Sequence, residues 1–186
     1  MSATNRGRAR IEYDSYYTPE DAIHNFLNNY NLDMNGLHIL EPSAGTGNFC
    51  KVLRERYPTS KISAIELNEE NKNILKLYCD NVKIGDFLST EKNINVDVVM
   101  GNPPYSLALE FMEKLFKITK PNTKIIMLLR TAFLESKKRH NFWQKHPLNG
   151  LYTLSQRPSF AGTGTDATSY SIMVWDGTEK QVIKVI

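Results

Sequence analysis

The stretch that decides the fold is Leu37-His38-Ile39-Leu40-Glu41-Pro42-Ser43-Ala44-Gly45-Thr46-Gly47-Asn48-Phe49. It begins with a short apolar run, which predicts a buried strand over 37–41. Two glycines then allow the backbone to turn sharply and to approach a ligand closely. A helix is predicted over 48–57, so the loop presents the unpaired backbone amides of a helix start. These amides favour a polar or anionic ligand at this edge of the sheet.

Strands and helices alternate on both sides of this loop. Before it, the segment from Thr18 predicts a helix in which Thr18 is the N-cap and Pro19 lies in the first turn. After it, strands are predicted over 61–67, 82–84, 96–100, 124–129, 150–156 and 169–176, and helices over 69–78 and 107–118. Because the central strands are continuous apolar runs, we expect a doubly wound α/β domain with a mostly parallel, seven-stranded sheet and a terminal antiparallel hairpin.

Acidic residues end the two predicted strands that follow the glycine loop. Glu66 ends the second strand, and Asp86, followed by Phe87, ends the third. Ligands of doubly wound sheets bind outside the carboxyl ends of the strands, where an acid can reach ribose hydroxyls. The sequence therefore predicts a site for an adenosine-bearing ligand, and a structural turn with surface acids becomes the minority interpretation. The glycines lack the G-x-G-x-x-G spacing, which disfavours a nicotinamide-dependent dehydrogenase.

A second loop, Asn102-Pro103-Pro104-Tyr105, follows the predicted strand over 96–100. The two prolines fix φ and restrict the residue before them, so the loop is held rigidly. The Asn102 amide oxygen and the Pro103 carbonyl are two acceptors for a planar NH₂ group, and Tyr105 can stack on the ring that carries it. Methyl transfer from a sulfonium to such a nitrogen is a direct displacement that depends on positioning and electrostatics, and it requires no metal.

The order of these motifs resembles that of the NPPY-type class I S-adenosylmethionine-dependent amino-methyltransferases. The matching motifs are Tyr17-Thr18-Pro19, Glu41 to Gly47, Ile65-Glu66, Gly85-Asp86-Phe87 and Asn102-Pro103-Pro104-Tyr105, and the likeness extends over 16–175. Within that family the chain is most similar to DNA adenine-N6 methyltransferases. The resemblance implies a single Rossmann-like methyltransferase domain, S-adenosylmethionine as cofactor with S-adenosylhomocysteine as product, and the N6 amino group of adenine in DNA as target.

The resemblance also implies a role for each matching residue. Asn102, Pro103, Pro104 and Tyr105 form the expected catalytic set, in which Tyr105 stacks on the target base. Thr18 and the loop around Gly45 are expected to hold the methionine end of the cofactor, Glu66 its ribose, and Asp86 with Phe87 its adenine. The expected cofactor-binding residues are Tyr17, Thr18, Glu41, Pro42, Ser43, Ala44, Gly45, Gly47, Glu66, Leu67, Asp86, Phe87 and Asn102.

A basic, aromatic segment over 137–146 is the candidate substrate surface. Lys137, Lys138 and Arg139 are expected to contact phosphates. The aromatic rings of this segment have two interpretations, packing in the core or stacking on a base, and packing in the core is slightly favoured. By the resemblance, Phe160 is the candidate for the opposite face of the target base; a buried Phe in a turn is the equal alternative. An adenine must be flipped out of a duplex, or be presented in a single strand, to reach the cofactor.

The 186 residues fit one domain and carry a net charge of +3, which is mildly basic. We expect a basic amino-terminal arm over 1–15 and a catalytic domain over 16–186 without a separate target-recognition domain. The chain contains no membrane-length apolar run, no secretion signal and no metal-ligand spacing, so a cytoplasmic protein without a metal or a membrane partner is expected. Its two cysteines, Cys50 and Cys79, are interpreted as small core residues.

Several alternatives stay open. DNA-modifying relatives usually carry a target-recognition domain, so a specificity subunit, readout by a short loop or relaxed specificity is expected to replace it. The same NPPY loop serves enzymes that methylate RNA bases or protein glutamine, and an inactive nucleic-acid-binding subunit could keep the fold. The recognition sequence, the oligomeric state and the biological role, whether restriction-modification, regulation or phage self-marking, are not predicted.

Overall fold

The computed structural model describes residues 17–156, 158, 168–179 and 181–186. The predicted arm over 1–15 and the predicted base-stacking residue Phe160 lie outside this part of the chain. The described helices are α1 (Glu20–Asn29), α2 (Asn48–Arg56), α3 (Lys72–Leu75), α4 (Ala108–Ile118) and α5 (His140–Lys145). The described strands are β1 (His38–Glu41), β2 (Lys61–Glu66), β3 (Asn81–Ile84), β4 (Val98–Gly101), β5 (Lys124–Arg130), β6 (Gly150–Thr153), β7 (Tyr170–Trp175) and β8 (Val182–Val185).

The strands form one sheet in the order β3-β2-β1-β4-β5-β7-β6-β8. β7 pairs antiparallel with both β5 and β6, whereas the other described pairs are parallel. The strand order reverses between β1 and β4, which are neighbours with Ile39 opposite Val98. In an open α/β sheet, the loops at such a switch point separate and leave a crevice at the carboxyl ends of the strands.

The predicted mostly parallel α/β sheet with an antiparallel hairpin is confirmed, but it has eight described strands instead of seven. The additional strand, β8, pairs parallel with β6 at the edge of the sheet. It has only four residues, and its Ile183 and Val185 side chains are 80% and 74% exposed. Because two of its three apolar residues face solvent and Lys184 interrupts them, β8 lacks the continuous apolar run that reveals a central strand.

Two local predictions are also wrong. Thr18 does not cap α1, because Pro19 occupies the N-cap position and no side chain caps the helix. The helix predicted over 69–78 is a 3₁₀ turn, Glu69–Asn71, followed by the single-turn helix α3. Of the residues in α3, only Leu75 is buried, so the segment has too little apolar packing to stabilise a longer helix.

Apolar side chains cover both faces of the sheet. On one face, α1 and α2 pack Phe26 and Leu53 in a core cluster with Ile39 and Val98. On the other, α4 packs its buried stripe, Ala108, Leu109, Phe111, Met112, Leu115 and Ile118, in a second cluster with β4 and β5. This two-sided burial explains the continuous apolar strands. Every helix of the described chain is too short or too polar to span a bilayer.

Candidate active site

The loops that follow β1, β2, β3 and β4 meet at one edge of the sheet and enclose a cleft. Its empty volume, including the open mouth, is about 820 Å³. The lining includes these predicted residues: Tyr17, Thr18, Glu41, Pro42, Ser43, Ala44, Gly45, Glu66, Leu67, Asp86, Phe87, Asn102, Pro103 and Pro104. Residues of both sequence loops are therefore brought together in one cavity, but the predicted residues Gly47 and Tyr105 are not among those that line it. What each residue binds there stays a prediction.

The cleft is also lined by residues that were not predicted: Thr46, Asn48, Phe49, Gly85, Leu107 and Phe111. Thr46, Asn48 and Phe49 lie within the loop quoted above, so their position in the motif was the available signal. Leu107 and Phe111 have the helical spacing of core residues. Periodicity cannot separate a side chain that faces a core from one that lines an apolar ligand cavity.

Gly45 and Gly47 have left-handed backbone conformations, with φ of 53° and 87°. A Cβ at Gly45 would lie 3.3 Å from Tyr17 Cε1, so the absent side chain lets the Tyr17 ring close over the loop. A Cβ at Gly47 would lie 2.9 Å from Leu75 Cδ2, so this glycine admits close packing of α3 instead. Gly47 is the N-cap of α2 and is not among the residues that line the cleft. Its predicted contact with the cofactor stays a prediction.

Glu66 joins the loops after β1 and β2. Its Oε2 accepts a hydrogen bond from the Gly45 N–H at 2.7 Å, and its Oε1 accepts one from the Asn68 N–H at 2.8 Å. The side chain is almost fully buried, and charge-assisted hydrogen bonds of this kind hold a carboxylate in one orientation. Each carboxylate oxygen can accept a second hydrogen bond, so this anchoring is compatible with a ribose contact.

Asp86 and Phe87 form the next wall of the cleft. The Asp86 carboxylate accepts hydrogen bonds from the Leu88 N–H and the Ser89 hydroxyl, each at 2.9 Å, and so caps the turn Phe87–Ser89. Asp86 is exposed, whereas Phe87 is buried with its ring centroid 4.9 Å from that of Phe111. The pair therefore presents a fixed carboxylate beside an aromatic surface.

Glu41 is a buried acid on the cleft. Its Oε2 accepts a hydrogen bond from the Cys50 thiol at 2.9 Å, and no described Lys or Arg forms an ion pair with it. Burial raises the pKa of the Glu41 carboxyl well above its usual range, and the nearby Cys79 and Glu66 raise it further. Cys50 is buried as predicted, but its role as the donor to Glu41 was not predicted.

The loop Asn102-Pro103-Pro104-Tyr105 is hydrogen-bonded to the loop after β1 and to the segment before α1. Asn102 Nδ2 donates to Thr18 Oγ1 at 3.2 Å, and Ser43 Oγ donates to the Asn102 carbonyl at 3.1 Å. Asn48 Nδ2 in turn donates to the Thr18 carbonyl at 2.9 Å. The amide nitrogen of Asn102 is therefore turned towards Thr18, and the role of Asn102 as an acceptor for a target amine stays a prediction.

Tyr105 lies where β4, β5 and β7 end or begin. Its ring centroid is 5.3 Å from that of buried Tyr170, and the Arg130 guanidinium carbon lies 4.9 Å from the ring centroid, over the ring. Arg130 is the exposed last residue of β5. Its position beside the predicted stacking residue was not predicted. It depends on the parallel pairing of β4 with β5, which brings the end of β5 next to the loop that follows β4.

Several side chains of the basic segment over 137–146 make contacts within the fold. Arg139 Nη1 donates to the carbonyls of Ala132 and Glu135 at 2.8 and 2.7 Å and so closes a turn. Its predicted contact with phosphate stays a prediction. The Lys138 ammonium lies 3.4 Å from Glu110 on the surface, and Lys137 forms no ion pair with a described residue. The two aromatic residues pack inwards, since Phe142 is buried and the Trp143 Nε1–H donates to the Phe133 carbonyl at 3.2 Å.

The cleft fits an adenosine ligand that carries a short charged chain. It combines the backbone of a glycine loop before a helix, two carboxylates at successive strand ends and the aromatic surface of Phe87. Among the described residues, no group of three or more His, Cys, Asp and Glu side chains could hold a metal ion.

No protein-family model matches the chain. In sequence, it is 30% identical over 99 residues to the type II methyltransferase M.CvrRI of Paramecium bursaria Chlorella virus XZ-6E, a match that covers 53% of this chain and 26% of that protein. It is 42% identical over 74 residues to the modification methylase CviBIII of Paramecium bursaria Chlorella virus NC1A, covering 38% of this chain and 19% of that protein. The matches thus span about a quarter or less of these relatives.

Solved structures resemble the fold over most of its length. A candidate RNA methyltransferase from Pyrococcus horikoshii has a TM-score of 0.69 at 18% identity and covers 88% of both chains. A candidate class I S-adenosylmethionine-dependent methyltransferase from Listeria monocytogenes has a TM-score of 0.66 at 16% identity, covering 90% of this chain and 65% of that one. The chain therefore has the fold of the class I S-adenosylmethionine-dependent methyltransferases, and over half of its length it is similar in sequence to a type II methyltransferase.

Proposed function

We propose that the protein transfers a methyl group from S-adenosylmethionine to the exocyclic N6 amino group of adenine in DNA. One observation carries the proposal: Asn102, Pro103 and Pro104 line the same cleft as the Gly45 loop, Glu66 and Asp86. An acceptor pair for a planar amine thus lies beside a cavity suited to adenosine. The sequence similarity to M.CvrRI and CviBIII supports DNA as the substrate.

The residues of the cleft have separate tasks in this proposal. S-adenosylmethionine, the cofactor expected for this fold, supplies a methyl group on a positively charged sulfur. Glu66 holds the ribose hydroxyls, while Asp86 and Phe87 hold the cofactor's adenine. Glu41 and the Gly45 loop face the methionine end. Since Glu66 is already fixed by two backbone amides, binding requires little reorganisation of this wall.

The catalytic loop orients the target amine. The Asn102 amide oxygen and the Pro103 carbonyl each accept one N–H of the NH₂ group, which turns its lone pair out of conjugation and towards the methyl group. Tyr105 stacks on the base, which is flipped out of the duplex. The hydrogen bonds from Asn102 to Thr18 and from Ser43 to Asn102 hold the acceptors in place, so positioning supplies much of the rate.

Labelled methyl transfer to unmethylated genomic DNA, followed by nucleoside analysis, tests the proposal. Genomic DNA offers every short recognition sequence, so the site need not be known. We expect label in N6-methyladenine. Asn102→Ala should lower turnover by at least about a hundredfold, because it removes one of the two acceptors, while cofactor affinity changes less than about threefold.

Asn93→Ala is the matched control, since Asn93 is exposed in the loop that precedes β4, at the opposite edge of the sheet. It should leave both turnover and cofactor affinity unchanged. Cofactor binding without label in DNA would contradict the proposed substrate and favour RNA or protein glutamine, which the same assay measures when those substrates are supplied. Equal loss of turnover and cofactor affinity in Asn102→Ala would contradict the assigned role of Asn102.

A further inference from the structure

Cys50 is a buried thiol that lies behind the wall of the cleft. It belongs to the first turn of α2, has no exposed surface, and is not among the residues that line the cleft. Asn48 and Phe49, which precede it, do line the cleft, and so does Glu41. The Cys50 side chain can therefore act on a bound ligand only through a neighbour that reaches the cleft.

That neighbour is Glu41, the last residue of β1. The Cys50 thiol donates a hydrogen bond to Glu41 Oε2 at 2.9 Å. On β4, a Cβ at Gly101 would lie 3.2 Å from Glu41 Cγ, so the absent side chain makes room for the glutamate. Gly101 thus admits the Glu41 side chain, and the Cys50 thiol holds its carboxyl in one orientation.

Most of the surroundings of the Glu41 carboxyl oppose its ionisation. Burial raises its pKa well above its usual range, whereas the hydrogen bond from the Cys50 thiol lowers it. Cys79, two residues before β3, and Glu66, at the end of β2, raise the pKa further, and the Cys50 backbone N–H lowers it. Gly101 on β4 adds no charge. Of these neighbours, Cys50 is the one that favours the carboxylate.

Cys50 is itself held in the protonated state. A hydrogen bond with Cys79 and burial both raise the pKa of the Cys50 thiol well above its usual range. A thiol that keeps its proton remains a donor, although a weak one. Since a carboxylate has several lone pairs, Glu41 can accept the thiol and still accept a hydrogen bond from a ligand.

We propose that Cys50 is a positioning residue for cofactor binding: its thiol orients the Glu41 carboxylate so that this carboxylate can bind the α-amino group of S-adenosylmethionine. On binding, the Glu41 proton passes to the solvent, and the carboxylate pairs with the ammonium group. This inference rests on the proposed function only through the cofactor. It is independent of whether the methyl acceptor is DNA, RNA or protein.

The test compares Cys50→Ala, which removes the donor, with Cys50→Ser, which replaces the thiol by a hydroxyl. The matched control is Ser60→Ala, because Ser60 is also buried and its hydroxyl donates to the Met34 carbonyl at 2.6 Å, just before the amino end of β2 and away from the cleft. Isothermal titration of the full chain measures the affinity for S-adenosylmethionine at a series of pH values around neutrality. Thermal unfolding checks that each variant is folded.

Cys50→Ala should lower the affinity for S-adenosylmethionine about tenfold near neutral pH, the effect of losing one hydrogen bond to a charged group. Because the pKa of Glu41 then rises further, the increase of affinity with pH should move to higher pH. Cys50→Ser should restore the affinity and move the increase to lower pH, because a thiol is the weaker donor. Ser60→Ala should lower stability but change neither the affinity nor its pH dependence.

A truncated ligand separates positioning of Glu41 from a general disturbance of the cleft. Methylthioadenosine contains the adenosine part and the sulfur of the cofactor but lacks the amino-acid chain, so it has no ammonium group for Glu41 to bind. Its affinity should be the same in the parent protein and in Cys50→Ala. An equal loss for both ligands would mean that Cys50 merely packs α2 against β1, and it would overturn the proposal.

The remaining outcomes separate this proposal from the proposed function. If the parent binds the cofactor and Cys50→Ala keeps both its affinity and its pH profile, Cys50 does not position Glu41, although the proposed function stands. If the parent does not bind S-adenosylmethionine, the proposed function fails, and the role of Cys50 fails with it. Should Cys50→Ala not fold, or methylthioadenosine bind too weakly to measure, the pH profile of Cys50→Ser decides, and a profile equal to that of the parent overturns the proposal.

Discussion

At the scale of single residues, Glu41 stands out in the cleft as a fully buried carboxyl with a raised pKa. Its carboxyl is buried, receives a hydrogen bond from the Cys50 thiol, and has its pKa raised by burial and by the proximity of Cys79 and Glu66. In the proposed function it faces the α-amino group at the methionine end of the cofactor. A protonated carboxyl binds a cation poorly, so ligand binding should drive the release of the Glu41 proton.

Cofactor affinity should therefore depend on pH. In the ligand-free protein the Glu41 carboxyl stays protonated at pH values above the pKa of an ordinary glutamate, whereas its ionised form is the one that binds the cation. Affinity should rise with pH, by at most about tenfold per unit, above the pKa of an ordinary glutamate. The rise should end once the carboxyl of the ligand-free protein is already ionised or the α-amino group of the cofactor loses its proton. Isothermal titration in buffers of different ionisation enthalpy measures both the affinity and the released proton.

Glu41→Gln is the control for this dependence, because the amide has a similar size and does not titrate. It should bind the cofactor more weakly near neutral pH, with a flat profile and no proton release. An affinity of the parent protein that stays constant or falls over the same range would show that the Glu41 carboxyl does not lose its proton on binding.

The residues that sequence could identify are those that carry a motif. Gly45, Glu66, Asp86 and Asn102 were all predicted, and all line the cleft. Thr18 was expected as a helix cap, but its hydroxyl accepts a hydrogen bond from Asn102 instead. The contact of Arg130 with Tyr105 and the hydrogen bond from Cys50 to Glu41 escaped prediction because they depend on the three-dimensional packing of strands and loops, and no residue spacing along the chain encodes them.

At the scale of elements, the start of α2 depends on how closely α3 packs against it. Gly47 has a φ of 87°, and a Cβ there would lie 2.9 Å from Leu75 Cδ2. Gly36 has a φ of 75°, but a Cβ there would meet nothing within 4 Å. Both glycines therefore have a positive φ, but only Gly47 lacks space for a Cβ atom.

Gly47→Ala should lower the free energy of unfolding more than Gly36→Ala does. A left-handed conformation costs an alanine about 1–2 kcal/mol, and overpacking against Leu75 adds about 1–3 kcal/mol at Gly47 alone. Urea unfolding followed by circular dichroism measures both losses. Equal losses would mean that α3 moves aside without cost, which would contradict the close packing of α2 on α3.

Elements with strong burial were predicted well, and weakly buried ones were not. Strands β1, β4 and β5 each contain a run of buried apolar residues, and their positions agree with the prediction within a few residues. The pattern over 69–78 suggested a regular helix because it includes Ile74 and Leu77, yet these side chains are 39% and 72% exposed. Apolar residues at helical spacing indicate a helix only where a second surface covers them.

At the scale of the whole molecule, the carboxyl ends of the parallel strands differ from their amino ends in what they carry. The carboxyl ends of the parallel strands carry the cleft, the loop over 102–105 and Arg130. The amino ends carry contacts that hold distant segments together. Among them is the 2.9 Å hydrogen bond that the Tyr30 hydroxyl, at the end of α1, donates to Asp176 Oδ2, just after β7. Substitutions at the amino ends should therefore affect stability without affecting chemistry.

Tyr30→Phe tests this separation. Burial acts to raise the pKa of Asp176, but the hydrogen bonds from Thr178 and Tyr30 outweigh it and lower the pKa. The variant removes one donor to a partly exposed carboxylate, so it should lower the free energy of unfolding by about 1 kcal/mol near neutral pH. Because the contact requires ionised Asp176, the stabilisation is present above the unfolded pKa of about 3.8 and is lost as pH falls through the lowered folded pKa.

The matched control is Tyr152→Phe, since the Tyr152 ring packs against that of Tyr30 but its hydroxyl donates to no described residue. Thermal unfolding from about pH 3 to pH 7 should therefore separate the two variants at neutral pH and bring them together in acid, as Asp176 becomes protonated. Methyl transfer by both should equal that of the parent protein at temperatures where all are folded. A loss of turnover in Tyr30→Phe without a loss of stability would mean that α1 transmits strain to Thr18 and the catalytic loop, and the two ends of the strands would then not be separate in function.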